Sequence, residues 1–174
     1  MENNTKKITL SALFLAMGLL LPFLTGQIPQ IGKMLSPMHI PILLCGFYCG
    51  WKHAGVVGFI CPLMRSVLFG MPVLFPSAVG MAFELMTYGI LSGILSKKLG
   101  KEKLWKIYVA LIIAMLGGRI VWGIAQVVLL GLSGSAFTFQ AFIAGAFVNA
   151  VPGIILHLIL IPIIVKSIKA EQLN

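Results

Sequence analysis

Aspartate is missing from this chain of 174 residues, and the acidic side chains amount to four glutamates. That scarcity removes most carboxylate-based acid–base and metal chemistry. Nucleotide chemistry by a P-loop is excluded as well: no G-x-x-x-x-G-K-[ST] occurs, since Gly32–Lys33 is followed by Met34 and Gly100–Lys101 by Glu102. Neither H-E-x-x-H nor G-x-S-x-G is present. Charged residues of either sign make up only 10% of the chain. Three cysteines, Cys45, Cys49 and Cys61, fall in apolar runs with no C-x-x-C spacing, and read as small packing residues. An enzyme is disfavoured, and neither a cofactor nor a metal is expected.

What the chain has in quantity is apolar surface: 59% hydrophobic residues and a mean hydropathy of +1.04. A soluble domain of this size has no use for so much, whereas a bilayer has. The length allows about six crossings of roughly 20 residues each, predicted near 8–24, 38–50, 53–69, 77–95, 106–130 and 137–164. The expected fold is an all-α integral membrane protein, a compact bundle of six transmembrane helices forming one domain over 1–174. Lys6 and Lys7 before an apolar run resemble a signal peptide, but no A-x-A-like site follows, which predicts an uncleaved first helix.

The net charge of +9 has a membrane distribution. Lys6, Lys7, Lys52, Lys97, Lys98, Lys101, Lys103, Lys106, Lys166 and Lys169 fall on one side of a six-span arrangement, and Lys33 alone on the other. Positive charge collects on the cytoplasmic side, so both termini are expected there. Trp51 and Trp105 suit interface anchors. Nucleic acid is not an expected partner.

Few strongly polar side chains remain inside the spans: His39, Arg65, Glu84, Arg119, Gln126, Asn149 and His157. Arg65 and Arg119 each lie thirteen residues beyond a lysine at the inner interface, roughly 20 Å up at 1.5 Å per residue. Glu84 stands at roughly 18 Å by the same count, so three charges share a layer. Arg119, Trp122 and Gln126 share a helix face, as do Met81, Glu84 and Tyr88. Two arginines against one glutamate leave a surplus of about +1, costly in hydrocarbon unless a ligand answers it. An anion, most simply a carboxylate, is therefore expected, held by an arginine fork with Tyr88, Trp122, Gln126 and Asn149 around it. Which arginine pairs with Glu84 stays open at this point. His39 reads as a helix-start contact near the outer surface, and His157 as an interhelical bond on the inner half.

In "SALFLAMG", Ala12 and Ala16 put two small side chains on one helix face, a seam suited to close packing in lipid. That motif, six spans in a short chain, and the stretches "SPMHIPILLCGFYCG", "PLMRSVLFGMP" and "MAFELMTYGILSG" together resemble the S-component of an energy-coupling factor (ECF) vitamin transporter, of the pantothenate and pyridoxine-type subfamily. The resemblance implies a substrate-binding subunit of a bacterial cell membrane, which takes a vitamin from outside and docks on a transmembrane scaffold carrying two ATPase subunits. It implies that Ala12 and Ala16 contact the scaffold. The outer loops with Gln27 and Gln30, and with Pro72 and Phe75, would cover the ligand, and the loaded subunit would topple toward the cytoplasm. Among the family's substrates the carboxylate argument selects pantothenate; pyridoxine-type and hydroxymethylpyrimidine substrates are the alternatives. A stand-alone channel or small exporter is the rival of another class, disfavoured because the inner half offers no continuous polar stripe.

Overall fold

In the computed structural model, described for residues 2–25, 28, 34–132 and 134–171, helices account for nearly all of the chain. Helix α1 spans Glu2–Leu20 and continues as a 3-10 turn over Leu21–Thr25. Helix α2 (His39–Cys49) is joined through Gly50 to α3 (Trp51–Phe69). A turn over Leu74–Ala78 leads into α4 (Val79–Leu99), and α5 covers Leu104–Leu132. The short α6 (Phe139–Ile143) and a turn over Ala144–Val148 precede α7 (Val151–Glu171).

Five of the six expected crossings coincide with long helices, and the second with a short one. Among the described residues five helices are long and apolar enough to span a membrane, and α2 is a shorter apolar helix. Its 11 residues reach only about 16 Å at 1.5 Å per residue, roughly half of the hydrocarbon thickness. Ten of them are buried. A short segment is tolerated at membrane depth when protein, not lipid, surrounds it. Pro41 falls in the first turn of α2, where the missing N–H has no helical partner to lose. The other helices overrun their expected ends: α3 begins at Trp51 and passes through Pro62 without a break, and the last span extends over 30 residues, Phe139–Ile168.

Helix α4 is the hub, packing on α2, α3 and α5. Glycine makes this possible. A Cβ on Gly58 would lie 2.4 Å from the Leu85 carbonyl oxygen, and one on Gly89 would lie 2.4 Å from the Ala54 carbonyl oxygen. The α3 and α4 backbones therefore touch, antiparallel, in the small-residue packing that drives helix association in lipid. Gly50 closes the α2–α3 corner at φ +88°, a conformation that glycine adopts without steric cost. At the lysine-rich end, Lys101 donates to the Phe47 carbonyl and lies over the Tyr48 ring. Lys166 donates to the Glu102 carbonyl at 2.8 Å. Those contacts gather α2, α7 and the α4–α5 connection at one end. The other end of the bundle, poor in lysine, carries the polar cluster.

Candidate functional site

Glu84 stands in the second turn of α4, two turns' depth below the chain's approach from Leu74–Ala78. Its Oε1 lies 3.0 Å from Arg119 Nη1 on α5 and accepts a 3.1 Å hydrogen bond from the Tyr88 hydroxyl, one turn along α4. His39, the first residue of α2, brings Nε2 to 3.5 Å from the same oxygen, longer than an ordinary hydrogen bond. The His39 ring stacks on His157 of α7 at 5.8 Å and meets the Tyr88 ring edge-on at 5.2 Å. His157 Nε2 sits 3.2 Å from the Ser36 carbonyl. Since a carbonyl only accepts, that nitrogen carries the proton, and Nδ1 of the singly protonated ring is left as an acceptor. Helices α2, α4 and α5 thus converge on one buried carboxylate, and α7 joins them through His39.

The cluster is not fully satisfied internally. Both ring nitrogens of His39, Nδ1 of His157, Nε of Arg119 and Oε1 of Gln126 are buried without a hydrogen-bond partner. Each such group costs about 1–3 kcal/mol if nothing ever answers it, and natural proteins keep few. Together they present one fixed donor, two fixed acceptors and an imidazole free to do either.

Of the residues expected at a site, Glu84, Tyr88 and Arg119 are in direct contact. Gln126 lies two turns along α5 from Arg119, against Gly80, whose Cβ would fall 2.9 Å from the amide nitrogen. Trp122 stacks on Phe142 (6.3 Å) and meets Phe137 edge-on (5.7 Å), an aromatic wall at the lysine-poor end. Asn149 is exposed in the turn before α7. Pro72 and Phe75 lie in the link between α3 and α4, with Phe75 exposed. Gln27 and Gln30 lie outside the described residues. Ala12 and Ala16 are exposed on α1, while Ser11, Phe14 and Gly18 face inward.

Arg65 departs from the expected layer. Its guanidinium donates to the Leu19 carbonyl and lies 4.9 Å and 5.4 Å from the Phe23 and Phe69 ring centres. Leu19 is in the last turn of α1, where carbonyls lack helical partners and the helix dipole is negative. The second positive charge is answered by a helix end and two aromatic faces, and by no contact with Glu84. Two histidines were also misplaced by sequence reasoning. His39 starts a helix as expected, yet it is buried against the carboxylate rather than at the surface. His157 joins this cluster, bonded to the Ser36 carbonyl and stacked on His39, rather than making an interhelical bond on the inner half. The signal for His39 was present in its position one turn before a fully apolar run, but a helix too short to span hid its depth.

Five long apolar helices and buried polar groups from several of them at one end of the bundle fit a multi-pass membrane protein. Family comparison agrees: residues 6–165 match the model described as ECF transporter, substrate-specific component. The chain belongs to that family. No curated protein and no solved structure matches the chain. Membership makes the protein the substrate-binding subunit of an ECF importer rather than an enzyme, with a small-molecule substrate and a scaffold and ATPase module as its partners.

Proposed function

We propose that the cargo is a small, uncharged, water-soluble vitamin of the pyridoxine or hydroxymethylpyrimidine kind, bound at the lysine-poor end. Arg119, Gln126, His39 and His157 supply its hydrogen bonds. Trp122 forms an apolar wall, Glu84 and Tyr88 hold Arg119 and His39 in place, and Asn149, Pro72 and Phe75 border the entrance. The observation that carries this reading is the set of buried, unpartnered donors and acceptors contributed by α2, α5 and α7. Glu84 already neutralises Arg119, so a neutral ligand adds hydrogen bonds without burying a further charge. Arg65 lies outside this site and serves to hold α1.

Pantothenate is the second reading. One observation favours it: Arg119 keeps an unpartnered Nε–H on which a carboxylate would dock. In either case the lysine-rich end faces the cytoplasm of a bacterium, and the exposed Ala12–Ala16 face of α1 meets the scaffold, which carries two ATPase subunits.

Calorimetry on the purified protein without ATP, using pantothenate, pyridoxine and hydroxymethylpyrimidine, tests the cargo. Saturable binding of an uncharged vitamin is expected. Binding of pantothenate alone would move the assignment to the anion, and binding of none would overturn the site.

A further inference from the structure

At the lysine-rich end, α3 and α4 leave an open groove of about 340 Å³. Val56, Phe59 and Ile60 of α3 and Met86 and Ile90 of α4 line it, with Gly55 buried beneath. Gly55 lets Ile90 settle against α3 at the groove floor, since a Cβ there would meet Ile90 Cγ1 at 2.9 Å. Between Lys52 and Ile60 it runs about 12 Å along α3 at 1.5 Å per residue, an extent that suits one hydrocarbon tail.

Its mouth is cationic. Lys52 Nζ lies 5.6 Å from the centre of the Trp51 ring, and both side chains are exposed. Gly93 packs against the Trp51 backbone, so Lys97 and Lys98, about one turn further along α4, project beyond the start of α3. Both are exposed. The nearest acidic side chain in sequence, Glu102, is engaged by Lys106 at 3.7 Å. An apolar slot with Trp51 and Lys52 at its rim, and Lys97 and Lys98 exposed at the same end of the bundle, matches the two halves of an acidic lipid: a tail for the slot and a phosphate for the ammonium groups.

We propose that this groove is a binding site for one anionic phospholipid, with an acyl chain between α3 and α4 and the headgroup phosphate on Lys52, supported by Lys97 and Lys98. It is separate from the vitamin site and does not depend on the identity of the cargo.

Native mass spectrometry of the full chain, released from micelles containing equal amounts of phosphatidylglycerol and phosphatidylcholine, tests it. One retained phosphatidylglycerol per protein is expected, in preference to phosphatidylcholine. Lys52→Ala should reduce that preference about fivefold, the effect of one basic residue at an anionic surface. Val56→Trp, at an exposed position, should fill the slot and abolish retention of both lipids. Helix content by circular dichroism identifies variants that have lost the fold. Equal retention of the two lipids by the unmodified protein overturns the proposal, as does a preference unchanged by both Lys52→Ala and the Lys97→Ala, Lys98→Ala pair. If Val56→Trp leaves lipid retention intact and instead blocks assembly with the scaffold, the groove is a subunit interface and the lipid proposal fails.

Discussion

Replacing Glu84 by glutamine tests the electrostatics of the cluster most directly. The amide retains an oxygen for the Tyr88 hydroxyl, now at 3.1 Å, so that bond largely survives. What is lost is the negative charge 3.0 Å from Arg119 Nη1, in a place where both groups are buried. Removing one partner of a buried ion pair costs about 3–5 kcal/mol, because the other charge is stranded. That corresponds to a shift of about 150- to 5000-fold in the folding equilibrium, at about 1.4 kcal/mol per tenfold. Arg119→Met should be comparably costly by stranding the carboxylate. The double variant Glu84→Gln, Arg119→Met buries no charge, and it should be more stable than either single change, since an apolar replacement of a buried pair is often close to neutral. Unfolding in mixed detergent and dodecyl sulfate micelles, followed by circular dichroism, measures all four corners of the cycle. If the double variant costs the sum of the two singles, the pair contributes no coupling. The assignment of Arg119 rather than Arg65 as the partner of Glu84 would then be wrong.

Two further changes separate fold from function. Arg65→Met removes a charged hydrogen bond to the end of α1; a loss of about 1.5–3 kcal/mol is expected with vitamin affinity unaltered, and a tenfold weaker affinity by calorimetry would return Arg65 to the binding site. Ala12→Trp or Ala16→Trp, on the exposed face of α1, should abolish uptake by cells that carry the complete transporter yet leave binding by the isolated subunit unchanged, because bulk there obstructs close helix contact; intact uptake would rule out that face as the docking seam.

Apolar run length was enough to read the long helices, and their ends were missed by a few residues because lipid and protein both accept the same side chains. The shared depth of Glu84 and Arg119 was legible from counting along each helix. Their partners were not, since the direction in which a side chain points depends on how the helices are arranged around one another. Arg65 illustrates this: it turns to the end of α1, away from Glu84, and no count along one stretch of sequence reveals a neighbouring helix end. His39 and His157 were obscured for a different reason. Both depths depend on irregular segments, the short α2 and the late start of α7, where residues no longer convert to height at a constant rate. Glycine spacing was visible at Gly89 and Gly93, though only the structure shows Ala54 and Trp51 as the backbones they admit.

The shortness of α2 bears on how the chain first enters a bilayer. A segment of 11 residues is too brief to partition on its own during synthesis, and Gly50 connects it directly to the 19-residue α3. Entry of the two as a paired hairpin is expected, with α3 supplying the length that α2 lacks. Biogenesis of this subunit therefore depends on a corner one glycine wide, and a defect there would appear as failed insertion before any question of transport arises.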